Sequence, residues 1–197
     1  MALQRRQRLN GQADTAAGGD EGLATRASVG DEAAFAELMR RHERRVHALL
    51  WRLTRNQAVA DELCQETFLR AWRKLGSFQG RGRFEAWLAA LAYNVFRKQW
   101  RSTRRYAGTL SLEEPGVATE MDKHAAVTAA QEATADLDRL LAVVSPEERE
   151  LLTLSYAGGL SASEIGAMLN TAPGTVKSQI HRAKQKIRRA FDIDERP

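Results

Sequence analysis

Ser161–Ala190, with the sequence SASEIGAMLNTAPGTVKSQIHRAKQKIRRA, is the stretch that decides the fold of the C-terminal part of the chain. Its first serine is followed three residues later by Glu164, and this capping box predicts a short helix that ends at Leu169. Asn170 tolerates the left-handed backbone of a tight turn, and the proline that follows begins a long basic helix reaching about Phe191. This order of elements predicts a helix-turn-helix unit.

The second helix of this unit has an apolar face and a polar face. Val176 and Ile180 can pack on the first helix, so the opposite face points outward. That face carries cations and hydrogen-bonding groups, which are Thr175, Lys177, Ser178, His181, Arg182 and Gln185. Such groups bind phosphates and base edges in the major groove. A solvated face, or a helix for a membrane or a partner, is the alternative, but residues 171–190 hold six Lys/Arg and no acid, which favours DNA.

Hydrophobic periodicity predicts the rest of the fold. Apolar side chains at steps of three and four predict helices over about 31–53, 57–75 and 84–104, with a glycine-rich loop before the last. These helices can share one core, so we predict a helical domain over 24–106 and a flexible N-terminal tail over 1–23.

The C-terminal half of the chain reads as a second helical domain. Residues 107–130 have no sustained apolar stripe and predict a linker. Beyond them we predict a domain over 131–197, with helices at 131–143 and at Pro146–Tyr156, the latter opened by a capping box at Ser145. No segment alternates as a strand does. The predicted fold class is therefore all-α, with two small helical domains joined by a flexible linker.

The composition excludes several classes of protein. Apolar residues make up 43% and charged residues 28%, which is the balance of a soluble globular protein. The single cysteine, Cys64, excludes an internal disulfide, and the scattered histidines predict neither a metal nor another cofactor. No P-loop or nucleophile elbow supports an enzyme. The longest apolar stretch, residues 86–93, is short and no secretory signal is visible, so we expect a cytoplasmic protein without membrane insertion.

Charge is distributed unevenly along the chain. Residues 70–106 carry ten Lys/Arg against one acid, whereas residues 111–150 carry three against ten. Together with the basic last helix, this places two basic surfaces on either side of an acidic middle and predicts a polyanionic partner. Part of the first cluster is also explained by the preference of cations for helix C-termini. The preceding loop, with Phe78, Gln79, Arg81 and Arg83, could hold an unstacked base on this basic platform.

Two sets of motifs follow one another along the chain. The first comprises residues 61–72 (DELCQETFLRAW), 78–80 (FQG), 84–88 (FEAWL) and Asn94. The second comprises residues 145–149 (SPEER), 159–161 (GLS), Glu164-Ile165 and 174–178 (GTVKS). They resemble region 2 and region 4, respectively, of the extracytoplasmic-function (ECF) group of bacterial RNA polymerase sigma factors. The order and separation of the two sets also resemble that group, over about 24–106 and 131–191.

The resemblance implies a dissociable subunit that directs core RNA polymerase to promoter DNA and helps to open it. Residues implied to dock on the clamp helices of the largest polymerase subunit are Asp61, Glu62, Gln65 and Glu66. Residues implied to bind the −10 element and capture a flipped base are Phe78, Gln79, Arg81, Arg83, Asn94, Arg97, Lys98 and Arg101. Residues implied to bind the −35 element are Thr175, Lys177, Ser178, His181 and Arg182. Contact with the flap of the second polymerase subunit and control by an anti-sigma factor are implied as well.

Two other classes of function stay open at this point. A stand-alone helix-turn-helix regulator would use only the C-terminal unit, but it would need an effector domain that the helical N-terminal half does not supply. A helical adaptor that binds no DNA would carry its basic faces only for solubility. Salt dependence separates these classes, because binding to duplex DNA weakens by roughly 0.9 log units per phosphate contact per log unit of salt.

The substitution Arg182→Ala tests whether this residue reads sequence. If its guanidinium contacts a base, we expect a loss of roughly 1–3 kcal/mol confined to one promoter position. If it only contacts phosphate, the loss is uniform across sequences. Binding titrations on a set of singly substituted promoters measure the difference, and an unchanged affinity on every sequence would remove Arg182 from the interface.

Overall fold

The structure, a computed structural model, describes residues 19–78, 83–107, 137 and 139–191. Regular structure within these residues is helical, and the chain divides into two compact units, Met1–Ala107 and Gly108–Pro197. The predicted all-α class is therefore confirmed. Each unit is described by itself. No helix in the described part of the chain has the length and apolar character needed to cross a membrane.

The described helices of the N-terminal unit, apart from the first, begin and end close to their predicted limits. They are α1 (Asp20–Ser28), α2 (Glu32–Thr54), α3 (Gln57–Lys74) and α4 (Phe84–Ala107), with a single 3₁₀ turn at Leu75–Ser77. Side-chain caps explain two of the starts. The carboxylate of Asp31 accepts a hydrogen bond from the Ala34 amide at 2.9 Å, and the amide oxygen of Asn56 accepts one from Val59 at 3.1 Å.

Helices α2, α3 and α4 share one core. Leu38, Leu49 and Leu50 of α2 are fully buried, as are Ala71 of α3 and Leu88 of α4. Full burial of each leucine contributes roughly 1.5–3 kcal/mol. The apolar stripes found in the sequence are therefore the faces on which the three helices pack.

Helix α1 corrects the expected extent of the N-terminal tail. Residues 1–23 are predicted to form a flexible tail, but the structure begins a helix at Asp20 and buries Leu23, Ala24 and Ala27. Two alanines and one leucine give too weak a pattern to predict a helix alone, and the helix is stabilised by packing on α2. Residues 1–18 of the expected tail lie outside the described residues.

The C-terminal unit contains α5 (Pro146–Tyr156), α6 (Ala162–Leu169) and α7 (Pro173–Ala190). Both predicted capping boxes are present, at Ser145 and Ser161, so the predicted starts of α5 and α6 are confirmed. Leu154, Ile165 and Val176, one from each helix, are fully buried and form the centre of the unit. The expected linker at 107–130 falls outside the described residues, except Ala107 at the end of α4, and so does most of the expected helix at 131–143.

The turn between α6 and α7 depends on two positions. Asn170 adopts the left-handed conformation at φ 55°, which confirms the expectation for this residue. Gly166 was not singled out in the sequence, but a Cβ atom there would lie 2.5 Å from the backbone oxygen of Thr171. The two helices can approach this closely only because residue 166 has no side chain.

The substitution Gly166→Ala tests this close approach. We expect it to destabilise the C-terminal unit by about 1–3 kcal/mol, because the new methyl group must push backbone atoms apart. Gly174→Ala is the matched control, since the space around Gly174 is open and alanine favours a helix. Amide hydrogen exchange of the peptide covering α6 measures both, and equal effects of the two substitutions would contradict the steric argument.

Candidate functional site

The four residues implied in polymerase docking lie together on one face of α3. Asp61, Glu62 and Gln65 are exposed and Glu66 is half-buried. Their spacing puts them on adjacent turns of the helix. The structure thus forms a surface of three carboxylates and one amide, which we call the acidic face.

Two members of the acidic face are engaged by neighbours within the unit. Asp61 Oδ1 lies 2.7 Å from Nε2 of His47 on α2, and Glu66 pairs with Arg70 one turn along α3 at 2.5 Å. Glu62 and Gln65 have no side-chain partner among the described residues. These two side chains are therefore the ones left available for a basic or amide-bearing partner.

A groove of about 340 Å³ runs between α3 and α4 beside the acidic face. Its walls come from both helices and are formed by Glu62, Leu63, Gln65, Glu66, Leu69, Arg70, Val95, Lys98, Gln99 and Ser102. Leu69 is 54% exposed there, so the groove also presents an apolar side chain. The structure thus brings Lys98, implied in −10 binding, to the same groove as the docking residues.

The residues implied in −10 binding occupy two places in the N-terminal unit. Asn94, Arg97 and Arg101 share a face of α4, with Asn94 and Arg101 exposed and the Arg97 guanidinium 5.7 Å from the centre of the Tyr93 ring. Phe78 and Arg83 lie near the start of α4. Gln79 and Arg81 fall outside the described residues.

Phe78 and Arg83 are held by contacts that the sequence did not suggest. The Phe78 ring meets Phe84 edge-on at 5.4 Å and lies 5.5 Å from Trp87. Arg83 pairs with Glu85, whose other carboxylate oxygen accepts from Arg45 of α2 at 2.8 Å. Glu85, at the start of α4, thus pairs with one arginine on α2 and one just before α4.

The residues implied in −35 binding are all exposed on α7. They are Thr175, Lys177, Ser178, His181 and Arg182. Ser178 donates to the backbone oxygen of Thr175 at 2.9 Å, and His181 lies 3.0 Å from Gln185. Lys177 and His181 also line a shallow pocket of about 280 Å³ with Ser161 at the start of α6. The outward face expected for the second helix is therefore present.

Neither metal chemistry nor a reactive thiol is indicated in the described residues. They contain no group of three His, Cys, Asp or Glu side chains placed to hold a metal ion. Burial raises the pKa of the Cys64 thiol to about 11, with smaller contributions from the charges of Glu43 and Asp61. Cys64 is therefore protonated and unreactive near neutral pH.

Comparison with known families gives two matches that together span most of the chain. The family model of Sigma-70 region 2 matches residues 38–106, and that of Sigma-70, region 4 matches residues 134–187. The ECF RNA polymerase sigma factor SigE of Mycolicibacterium smegmatis is 37% identical over 85% of this chain and 66% of its own length. The RNA polymerase sigma factor CarQ of Myxococcus xanthus is 33% identical over 81% of this chain and 90% of its own length.

The chain belongs to the ECF family of RNA polymerase sigma factors. Solved structures of similar sigma factors agree. CnrH, in complex with the cytosolic domain of CnrY, gives a TM-score of 0.63 at 25% identity and covers 89% of this chain and 99% of that chain. RpoE of Bartonella quintana, in complex with the anti-sigma factor NepR, gives 0.64 at 25% identity and covers 82% and 98%.

Two sets of ion pairs in this sigma factor have no signal in the sequence. One is Glu85 with Arg45 and Arg83. The other is Lys186 near the end of α7, whose Nζ lies 2.7 Å from Glu148 in the capping box of α5. Lys186 is the main reason that the pKa of Glu148 lies below its ordinary value. Glu148 and Lys186 are separated by 38 positions, so no local pattern could have paired them.

The substitution Glu85→Gln tests whether Arg45 and Arg83 belong to a nucleic-acid surface of this sigma factor. Loss of the shared carboxylate removes an ion pair from each arginine, so we expect tighter binding to single-stranded DNA. The slope of log affinity against log salt concentration should become steeper by up to about 1.4, because each phosphate contact on a single strand contributes roughly 0.7.

Glu37→Gln is the control for the total change in charge. Glu37 likewise pairs with two arginines, Arg40 and Arg41, which hold its pKa at about 2, but it lies on α2 two turns before Arg45. Fluorescence anisotropy with a labelled oligonucleotide compares the two variants. Equal steepening in both would show only a net-charge effect and exclude a specific role of the Glu85 site.

Proposed function

We propose that this chain is a transcription initiation factor that binds core RNA polymerase, directs it to promoters through the −10 and −35 elements, and helps to open the DNA. The observation that carries the proposal is that the family models of Sigma-70 region 2 and region 4 both match this one chain. A stand-alone helix-turn-helix regulator would need only the second of these regions.

The acidic face of α3 is the proposed docking surface for the clamp helices of the largest polymerase subunit. Glu62 and Gln65 are exposed and lack a partner within the described residues, so binding them breaks no internal contact. Asp61 and Glu66 extend the same face. The adjoining groove, with exposed Leu69, adds an apolar contact of the kind found at the centre of protein interfaces.

The start and outer face of α4 form the proposed −10 surface. Residues 24–106 would make up this docking and melting domain. Phe78, Gln79, Arg81 and Arg83 would capture a base of the non-template strand, and Asn94, Arg97, Lys98 and Arg101 would bind the adjacent backbone. Extruding a base costs a few kcal/mol, so a site that accepts only the correct base couples sequence recognition to opening.

Residues 131–197 form the proposed −35 domain, joined to the first by the linker at 107–130. Helix α7 would lie in the major groove, with Lys177, Ser178, His181 and Arg182 near base edges and Thr175 near phosphate. The same domain would contact the flap of the second polymerase subunit. The exposure of all five side chains on one helix supports this assignment.

Control by an anti-sigma factor is the proposed regulation. CnrH and RpoE, which this chain resembles over most of its length, were solved with the cytosolic domain of CnrY and with the anti-sigma factor NepR. A protein that covers the docking surfaces would prevent assembly with polymerase. We place this exchange in the cytoplasm, where core polymerase and the chromosome are found.

The substitution Glu62→Lys tests the docking surface. Because Glu62 has no partner in the described structure, we expect the fold to be unchanged and the affinity for core RNA polymerase to fall at least tenfold, about 1.4 kcal/mol. Glu32→Lys, an exposed charge reversal on α2, is the control and should bind as the wild type does.

Size-exclusion chromatography with sigma-free core polymerase, followed by titration, gives the measurement. A wild-type chain that elutes apart from the polymerase while still binding DNA would overturn the proposed function and favour the stand-alone regulator. Co-elution that Glu62→Lys leaves unchanged would instead move the docking surface away from the acidic face.

A further inference from the structure

A buried histidine on α2 connects helix α1 to the start of α4. His42 is 6% exposed, and its Nε2 lies 2.7 Å from Oδ2 of Asp20, the first residue of α1. A carboxylate only accepts hydrogen bonds, so this nitrogen carries the proton. The other carboxylate oxygen of Asp20 accepts from Arg41 at 3.2 Å. Asp20 therefore fixes both the position and the tautomer of the His42 ring.

The His42 ring also contacts Phe84. The two ring centres are 5.4 Å apart, and Phe84 is 1% exposed. Phe84 in turn meets Phe78 edge-on and lies 5.5 Å from Trp87. Asp20, His42, Phe84 and Phe78 thus form a continuous series of contacts from the first residue of α1 to the proposed −10 surface.

We propose that Asp20 and His42 are positioning residues for promoter opening, and that α1 holds the start of α4 in the geometry that captures the flipped base. This inference rests on the proposed function. Neither residue touches DNA. They act through Phe84 and Phe78, because a hydrogen-bonded ring is a rigid support for an aromatic contact, whereas a ring without its partner can rotate.

Helix α1 also stabilises the core of the N-terminal unit. This effect on stability must be distinguished from the proposed positioning of α4. Leu23, Ala24 and Ala27 pack into the core, and any loss of α1 would weaken the whole unit. Asp20 lies one turn before Leu23 and Ala24 on the same face of α1, but its carboxylate contacts His42 and Arg41 of α2. A substitution at position 20 therefore tests positioning, whereas a substitution at position 23 tests core packing.

The test compares four variants of the full chain in reconstituted holoenzyme. Asp20→Ala removes the acceptor for His42, and Asp20→Asn keeps an oxygen in its place. Leu23→Ala weakens core packing without touching the pair. Glu21→Ala removes the neighbouring exposed carboxylate, for which no side-chain contact is described. The DNA is a promoter selected from random sequence by the wild-type holoenzyme.

Permanganate reactivity of thymines in the −10 element measures opening, and titrations measure affinity for core polymerase. We expect Asp20→Ala to reduce opening at least fivefold and to weaken discrimination against a substituted −10 base. Its affinity for core polymerase should stay within twofold of the wild type. Asp20→Asn should restore at least half of the opening, and Glu21→Ala should have no effect.

Amide hydrogen exchange of the peptide spanning residues 84–92 gives a readout that needs no polymerase. Asp20→Ala should accelerate exchange there at least threefold, and Leu23→Ala, compared at equal overall stability, should not. The inference is overturned if Asp20→Ala leaves opening and exchange unchanged, or if Leu23→Ala reproduces both effects at equal stability. A wild-type chain that fails to bind core polymerase would overturn the proposed function, and with it the role in promoter opening, whereas the exchange measurement would still show whether Asp20 holds the start of α4.

Discussion

The burial of Phe84 is the contact on which the N-terminal unit depends. It is the first residue of α4, and its ring is enclosed by His42, Phe78 and Trp87. This contact holds the first residue of α4 against α2, and buried residues further along, such as Leu88 and Val95, hold the rest of the helix on the core. Together they set the direction of the polar face that begins at Asn94.

The C-terminal unit also depends on the packing of buried side chains. Helix α6 has only eight residues, which is too short for a stable helix in water. Its capping box satisfies the first amides, but Ile165, which is fully buried, must pack into the core of the unit for the helix to persist. The geometry of the helix-turn-helix therefore results from packing. This close packing is possible because Gly166 has no side chain.

Charge pairing within the protein decides how much of the basic surface faces a partner. Glu37 and Glu85 each bind two arginines, and Glu148 binds Lys186. Such pairs at the surface contribute little to stability, but each one reduces the charge presented nearby. On the acidic face of α3, by contrast, Glu62 and Gln65 have no side-chain partner among the described residues, so their polar groups are available to another molecule.

The sequence by itself determined the helical class, the starts of α2, α3, α5 and α6, and the faces that carry the candidate residues. These features are local, because caps and apolar periodicity act within a few residues of one another. Tertiary structure alone decided that α1 joins the core, that Lys98 shares a groove with the acidic face, and that Glu148 meets Lys186. Each of these depends on contacts between distant parts of the chain, and the energy that stabilises them appears only when the helices pack.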